Sequence, residues 1–313
     1  MTAPVGVLLM AYGSPATLDD VEAYFTHIRG GRKPSPERVE ELRERYRRIG
    51  GRSPLLDITQ RQARGVEAGL TRLGAPVRVY VGMKHAPPFI VEAVDEMERD
   101  RVRAVVGLAL APHYSRLSIG TYLSTAAEAA GQHGIAFHGI ESWHDHSGFV
   151  RAVAARLGEA QRRLGNARSV PVIFTAHSLP QRILEWNDPY PTELQRTCQA
   201  VAQVAGLSRW QFAYQSASQT GEPWLGPALA NVVLELASKG EQAVIVCPVG
   251  FVADHLEVLH DIDIEAKALA TMHKMQLERV PSLNDGPDFI AALVDLVRAH
   301  LPKELLGESG AHR

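Results

Sequence analysis

The sequence predicts an α/β fold made of two similar domains, each with a parallel sheet flanked by helices. Short apolar segments alternate with longer segments of helical periodicity along the 313 residues, which is the pattern of successive β-α-β units. Most of the short segments are apolar at successive positions, as expected for strands that are buried on both faces of a sheet. The chain is also too long for one compact core of ordinary size and suits two domains.

Short apolar runs predict strands in both halves of the chain. One strand in each half ends in a small residue, a ring and a nearby proline, in Ala11-Tyr12-Gly13-Ser14-Pro15 and in Ala176-His177-Ser178-Leu179-Pro180. This repetition predicts two related domains, at 1–142 and 143–287. The predicted strands lie at 5–10, 77–81, 104–111, 136–140, 170–176, 210–214 and 243–248.

Helical periodicity fills the segments between the strands. Thr17, with Asp20 three residues on, is the expected N-cap of the first helix. The last helix, at 288–302, is expected to pack back on the first domain, with a tail at 303–313. The periodic segments lie at 19–28, 36–49, 58–73, 89–100, 120–133, 149–164, 191–205, 227–239 and 288–301.

Composition excludes several classes of protein. The hydrophobic fraction of 45%, the charged fraction of 22% and the net charge of −2 are typical of a soluble globular protein and do not favour nucleic acid as a partner. Cys198 and Cys247 form no C-x-x-C pair, which argues against a disulfide framework and against an iron–sulfur cluster. The N-terminus has no signal-peptide pattern and no apolar run spans a membrane, so we expect a cytoplasmic protein.

The candidate site lies in a cleft between the two domains. Ligands of open α/β sheets bind outside the carboxyl ends of the strands, and Tyr12 and His177 each follow a predicted strand. If the chain is helical from about Asp254, Glu257, Asp261 and Glu265 recur every four residues and form one acidic row. One imidazole with one carboxylate suits loose binding of a divalent metal or removal of protons. A structural histidine and a solvated acidic face remain the alternatives.

A second candidate feature is a basic and aromatic segment in the first half. The segment 24–34 runs from the end of the first predicted helix into a basic loop containing two glycines, and several arginines follow it. Interleaved glutamates make most of these arginines part of a solvated helix face. Arg29 and Arg45 are the better candidates to bind substrate carboxylates. Arg29 stands where a predicted helix ends, and Arg45 adjoins the aromatic Tyr46.

Ordered motifs along nearly the whole chain resemble the ferrochelatase family, and most closely its coproporphyrin branch from Gram-positive bacteria. The resemblance implies two similar Rossmann-like domains with parallel four-stranded sheets flanked by helices, the chelatase fold. It also implies an enzyme that inserts ferrous iron into a porphyrin in haem biosynthesis. The motifs are Leu8-Leu9-Met10-Ala11-Tyr12-Gly13-Ser14-Pro15, Tyr46-Arg47-Arg48-Ile49-Gly50-Gly51-Arg52-Ser53-Pro54-Leu55, Ala111-Pro112-His113-Tyr114-Ser115, Ala176-His177-Ser178-Leu179-Pro180, Gln215-Ser216, Trp224-Leu225-Gly226-Pro227 and Pro248-Val249-Gly250-Phe251-Val252-Ala253-Asp254-His255-Leu256-Glu257.

The resemblance also implies a role for individual residues. His177 and Glu257 would bind iron and accept protons at the porphyrin centre, with Asp261 and Glu265 continuing an acidic path. Tyr12 would face the ring from the opposite side and take part in catalysis. The remaining implied substrate contacts are Arg29, Arg45, Tyr46, Ser53, Lys84, His85 and Tyr122.

The sequence leaves several alternatives open. The substrate is expected to be coproporphyrin III, because basic residues adjoin the cleft; protoporphyrin IX, a cobalt chelatase and a haem or iron carrier are the alternatives. Iron is expected as a substrate, with no permanently bound cofactor. We expect a monomer that makes transient contacts with other enzymes of the haem pathway. The sequence departs from the family pattern at Ala217-Ser218-Gln219.

Overall fold

The computed structural model describes residues 5–75, 77–165, 169–218 and 221–301. Gln219 and the tail expected at 303–313 lie outside this part of the chain. The described residues form two parallel four-stranded sheets flanked by helices, as the sequence predicts. None of the helices in these ranges is both long and apolar enough to cross a membrane.

The two sheets have the same strand order, which confirms that the halves are related. The first sheet has the order β2-β1-β3-β4 and the second has the order β6-β5-β7-β8, and every pair is parallel. Their strands are β1 (Val5–Ala11), β2 (Arg78–Met83), β3 (Ala104–Ala109), β4 (Ala136–Ile140), β5 (Val172–His177), β6 (Trp210–Gln215), β7 (Ala243–Cys247) and β8 (Gln276–Arg279).

The helices follow the predicted segments to within a few residues, and two further short helices, at Leu256–Leu259 and Lys267–Met272, lie outside those segments. A 3-10 helix at Gln181–Trp186 and a π-helix at Asp261–Ala266 complete the regular structure. The α-helices are α1 (Val21–Ile28), α2 (Pro36–Arg48), α3 (Leu55–Arg72), α4 (Ile90–Arg99), α5 (Ile119–Gln132), α6 (Ser147–Arg163), α7 (Tyr190–Ala205), α8 (Leu229–Ser238), α9 (Leu256–Leu259), α10 (Lys267–Met272) and α11 (Pro287–Arg298).

Two local expectations are wrong. Thr17 does not cap α1: its backbone N–H and its hydroxyl both donate to Asp20 Oδ2, at 2.9 and 2.7 Å, and the helix begins at Val21. The fourth strand of the second sheet, β8, has no counterpart among the apolar runs. Its sequence, Gln-Leu-Glu-Arg, is mostly polar because β8 lies at the edge of its sheet.

The core is continuous between the two sheets. Side chains alternate along β1, so that Val7 and Leu9 lie on one face and Leu8 and Met10 on the other. The first face belongs to a cluster that also contains residues of the second sheet, and the last helix, α11, packs on both α3 and α6. The carboxyl ends of β1 and β5 therefore stand on one packed body, which fixes their relative positions.

Candidate active site

His177 and Glu257 form the centre of the candidate site. His177 ends β5 and Glu257 lies in α9, which follows the neighbouring strand β7. His177 Nε2 lies 3.3 Å from Glu257 Oε1, and the two side chains are 31% and 27% exposed. The other ring nitrogen, Nδ1, donates to the carbonyl oxygen of Ser178, because a carbonyl can only accept. Nε2 therefore faces the carboxylate at an opening to solvent.

A close backbone approach holds these two elements together. The N–H of Gly250 donates to the carbonyl oxygen of Thr175 at 3.0 Å. A Cβ atom at Gly250 would lie 2.4 Å from the Cβ atom and 2.8 Å from the Cα atom of Ala176, so only glycine fits. On the other side, Gln215 Nε2 donates to the carbonyl oxygen of Glu257 at 2.8 Å. Three strands thus determine where the pair lies.

His177 and Glu257 each stabilise the charged form of the other. Burial by itself would lower the pKa of His177, but the nearby Glu257 carboxylate outweighs it and raises that pKa to about 9. Burial would likewise raise the pKa of Glu257, and the His177 imidazolium instead holds it well below its ordinary value. His255 Nε2 lies 3.6 Å from the other carboxylate oxygen. Near neutral pH the resting pair is therefore an imidazolium and a carboxylate.

Four sequence-predicted residues lie together at the carboxyl edge of the first sheet. The rings of Tyr12 and His85 have their centroids 4.6 Å apart, and the backbone N–H of His85 donates to the carbonyl oxygen of Tyr12. Lys84 Nζ lies 5.0 Å from the centroid of the Tyr122 ring and donates to Thr121 Oγ1 at 2.6 Å. Burial lowers the pKa of Lys84. Tyr12 is 42% exposed, so this group also borders an opening.

The phenols of the first domain face Glu257 of the second. Burial raises the pKa of Tyr12, Tyr46 and Tyr122. The negative charge of Glu257 adds to each rise. These phenols therefore remain protonated at neutral pH and keep their capacity to donate hydrogen bonds. Tyr12 and Glu257 approach the opening from different domains.

Tyr46 and Ser53 are more deeply buried than their expected role suggests. Tyr46 is 1% exposed and packs with Val21, Val39 and Leu256. Ser53 is 7% exposed, and its Oγ accepts the backbone N–H of Leu55 at 3.3 Å. Direct contact of Tyr46 with a ligand stays a prediction, and it requires neighbouring side chains to move.

The acidic row does not lie along one regular α-helix, and that expectation is wrong. The helix begins at Leu256 and ends at Leu259, and the π-helix follows, with the N–H of Glu265 donating to the carbonyl oxygen of His260 at 2.9 Å. The wider π-turn changes the angle between successive side chains. His260, Asp261 and Glu265 consequently converge, each offering one atom within 4.8 Å of the others.

Arg45 reaches this acidic segment from the other domain. Its Nη2 atom lies 2.5 Å from Asp261 Oδ1, and its Nε lies 3.4 Å from His260 Nδ1. Ser216 Oγ donates to the second oxygen of Asp261 at 2.5 Å. A substrate carboxylate at Arg45 would compete with Asp261 for the same guanidinium. Glu265 is 60% exposed and lies 3.7 Å from His260 Nδ1.

Arg29 makes no hydrogen bond or ion pair with the other candidate site residues in the part of the chain that the structure describes. It follows the last residue of α1, is exposed, and its guanidinium carbon lies 5.9 Å from the centroid of the Phe25 ring. Its Nε donates to the carbonyl oxygen of Arg32 at 3.3 Å. Among the described residues it has no carboxylate partner, so its charge is available to an anion.

Sequence reasoning missed three contributors. Ser216 and His260 contact Asp261 or Arg45, and His27 lies against His85 with their Nδ1 atoms 3.0 Å apart. Ser216 belongs to the motif Gln215-Ser216, which was the available signal. No spacing in the sequence connects His27 with His85, which are 58 residues apart.

The arrangement combines metal-binding and proton-accepting groups of the second domain with phenols of the first. A neutral imidazole and a carboxylate suit borderline divalent metals. Two protein ligands leave most coordination positions open, which suits a metal in transit better than a structural ion. The same imidazole and carboxylate are also bases.

Comparison with known proteins identifies the family of this chain. A family model described as ferrochelatase matches residues 4–301. A ferrochelatase of Herpetosiphon aurantiacus is 44% identical over 95% of this chain and 99% of that protein. The coproporphyrin III ferrochelatases of Geobacillus kaustophilus and Bacillus subtilis are 44% and 40% identical, covering 93% and 94% of this chain and 94% and 96% of their own.

A solved structure supports the fold independently. The sirohydrochlorin chelatase SirB from Bacillus subtilis with Fe3+ aligns over 96% of this chain and 97% of its own with a TM-score of 0.59, at 12% identity. At that identity the likeness concerns the fold alone. The family match over nearly all residues and the relatives above 40% identity establish more: this chain belongs to the ferrochelatase family.

Proposed function

We propose that this protein inserts ferrous iron into coproporphyrin III, giving the iron coproporphyrin of haem biosynthesis. The observation that carries the proposal is the His177–Glu257 pair, 3.3 Å apart and partly exposed, in a chain of the ferrochelatase family. The reaction replaces the two pyrrole protons with iron(II) and involves no change of oxidation state. It therefore requires a base and a transient metal ligand, which this pair supplies.

Iron binding and proton transfer depend on the charge of His177. Its raised pKa means that the resting imidazole carries a proton at neutral pH, and a protonated nitrogen cannot bind a metal. An approaching dication opposes that positive charge, so the proton leaves as iron arrives. That proton passes to solvent at the opening, and neutral His177 and ionised Glu257 hold the metal beside the ring. Once the iron has passed to the ring nitrogens, the two freed side chains take up the two pyrrole protons.

The basic groups around the opening support the choice of coproporphyrin III. That substrate carries four propionates, and several curated relatives are named as coproporphyrin III ferrochelatases. Arg29 has an exposed guanidinium without a carboxylate partner among the described residues. The ammonium group of Lys84 lies 5.0 Å from the centroid of the Tyr122 ring, at the edge of the first sheet that also carries Tyr12. Arginine binds carboxylates through two parallel hydrogen bonds, which suits a propionate.

We also infer that no iron–sulfur cluster accompanies the activity. Such clusters are held by four cysteine thiolates. The chain contains only Cys198 and Cys247, and both are buried. Iron is therefore a substrate here, and the protein needs no resident cofactor for the proposed reaction.

The test is anaerobic metal insertion followed by visible absorbance, with ferrous iron and either coproporphyrin III or protoporphyrin IX. We expect multiple turnovers, faster on coproporphyrin III. The variant His177→Ala should lose at least about two orders of magnitude in kcat. His133→Ala is the matched control, because that histidine pairs with Asp95 on the surface.

Each other outcome has a definite meaning. Faster turnover on protoporphyrin IX would keep the reaction and overturn the proposed substrate. Insertion of cobalt but not iron would make the protein a cobalt chelatase. Tight haem binding without turnover would make it a carrier, and full activity of His177→Ala would remove His177 from the chemistry.

A further inference from the structure

Arg279 bonds to both ends of the segment that carries Glu257. Its Nη1 atom lies 3.1 Å from Asp254 Oδ1, and its Nε lies 2.7 Å from Asp263 Oδ1. Asp254 precedes Glu257 by three positions and Asp263 follows it by six. The guanidinium side chain is 15% exposed, so the two contacts are shielded from water. One residue of β8 thus spans the whole turn beside the candidate active site.

The spanned segment has little regular structure of its own. His255 is fully extended, α9 contains only 4 residues, and the π-helix that follows contains 6. Helices this short do not hold themselves in place, because most of their backbone groups lack intrahelical partners. The position of Glu257 therefore depends on bonds from outside the segment.

Asp254 is the fixed end of this arrangement. Its carboxylate accepts from Ser282 Oγ at 2.7 Å and from Asn284 Nδ2 at 2.9 Å, and its backbone N–H donates to Asn284 Oδ1 at 2.8 Å. These partners anchor Asp254 to the chain that follows β8. Asp263 is 35% exposed, and Arg279 is the only one of these groups that bonds to it among the described residues.

We propose that Arg279 is a positioning residue for Glu257, fixing the distance and angle between that carboxylate and His177 by joining Asp254 to Asp263. The planar guanidinium can bond to two carboxylates in different directions, whereas the single ammonium group of lysine cannot keep both at this geometry. Arg279 does not touch the opening and takes no part in the chemistry. The inference rests on the proposed function only for its kinetic readout.

The test compares Arg279→Met and Arg279→Lys with wild type in iron insertion and in hydrogen exchange of the peptide covering residues 255–265. Misplacement of Glu257 should lower kcat roughly 10- to 100-fold. Arg279→Lys should fall between Arg279→Met and wild type. The KM for porphyrin should stay within about twofold, because groups of both domains other than Glu257 bind it. Exchange in 255–265 should rise in both variants.

Arg209→Met is the matched control. Arg209 pairs with Glu241 at the amino ends of β6 and β7, the end of the second sheet opposite to the site. It should leave kcat and the exchange of 255–265 unchanged. If Arg279→Met does not fold, Asp263→Asn removes one of the two contacts and should give the same change in kcat without change in KM.

The outcomes separate this inference from the proposed function. A wild-type protein without turnover overturns the function, and the exchange measurement alone then decides the role of Arg279. Unchanged exchange and unchanged kcat in Arg279→Met overturn the positioning role. Parallel losses in kcat, porphyrin affinity and melting temperature would show a general structural role instead, and would overturn it as well.

Discussion

His27 Nδ1 and His85 Nδ1 lie 3.0 Å apart, so one of the two nitrogens must donate a proton and the other must accept it. The ring of His27 also stacks on Phe89, with centroids 5.2 Å apart, and His85 in turn contacts Tyr12. The orientation of the imidazole beside Tyr12 is therefore determined by a residue of α1. Two imidazolium ions could not share this contact, because both nitrogens would be donors.

We expect His85 to stay neutral throughout the physiological range. Burial is the main cause that lowers its pKa, with the charge of Lys84 and the neighbouring His27 adding to it, to about 3. NMR titration of labelled histidines should show no transition for His85 between pH 5 and 8. Because the folded pKa of His85 lies below the ordinary 6.5, the unfolded state binds more protons than the folded state between pH 3 and pH 6.5. The free energy of unfolding should therefore fall as the pH is lowered from 6.5 towards 3. A His85 midpoint near 6.5 would contradict the geometry.

The His177–Glu257 pair should titrate together. In metal-free protein, NMR should place the His177 midpoint near 9, and Glu257→Gln should lower it, because only the Ser178 carbonyl and the Asp261 charge then oppose the effect of burial on the His177 pKa. The stability from His177 is complete below its unfolded pKa of 6.5 and is lost as pH rises through about 9.

The contribution of Glu257 to stability is also favourable, but it depends on pH in the opposite direction. It is complete above the ordinary carboxyl pKa of 4.5 and is lost as pH falls through the lowered folded value. Urea unfolding of wild type and Glu257→Gln should therefore differ most between pH 4.5 and 6.5. An unchanged His177 midpoint in Glu257→Gln would show that the carboxylate does not control the imidazole.

Removing Arg45 should destabilise the contact between the domains. The side chain of Asp261 is only 10% exposed, so Arg45→Leu leaves a mostly buried carboxylate with Ser216 as its remaining hydrogen-bond donor. The free energy of unfolding should fall by about 1–3 kcal/mol. In the control Arg47→Leu, exposed pairs with Glu40 and Glu44 are lost, and the free energy of unfolding should change much less, because water screens these pairs. Equal effects of Arg45→Leu and Arg47→Leu would contradict a stabilising role for the Arg45–Asp261 pair.

Gly250→Ala should damage both stability and activity. The added Cβ would overlap the backbone of Ala176. This overlap would push β5 away from the loop that follows β7 and displace His177. A loss of roughly 1–3 kcal/mol is expected in thermal or urea unfolding. Gly158→Ala is the matched control: Gly158 lies inside α6, and the new Cβ would be 3.6 Å from the mobile end of the Arg162 side chain, an ordinary contact distance. Gly158→Ala should raise the free energy of unfolding by roughly 0.5–1 kcal/mol. If it destabilised the protein as Gly250→Ala does, the close contact at Gly250 would not be the cause of the loss.

The sequence predicted the strands well because buried parallel strands are apolar at successive positions, as in Ala243–Cys247. It also predicted that Tyr12 and His177 lie at strand ends. β8 was missed because an edge strand needs few apolar residues, and Arg279 was missed with it. The π-helix has no local sequence signal, since a change from i+4 to i+5 hydrogen bonds arises from contacts made elsewhere.

Contacts between distant segments were the second limit. The pairing of Arg45 with Asp261 joins residues 216 positions apart, and neither side chain shows its partner in the local pattern. The buried state of Tyr46 likewise results from packing between α1, α2 and α9. Residue types and strand ends indicated which groups gather at the site, and only the fold determined which of them bond to one another.

The last helix also constrains how the protein is made. Phe289, Leu293 and Val297 of α11 are fully buried in the core that includes Val7 and Leu9 of the first strand. During synthesis at about 5–20 residues per second, the first sheet is complete roughly 7 to 30 s before α11 emerges. For that interval, the part of this apolar core that α11 covers in the folded protein stays exposed to non-native contacts on the ribosome.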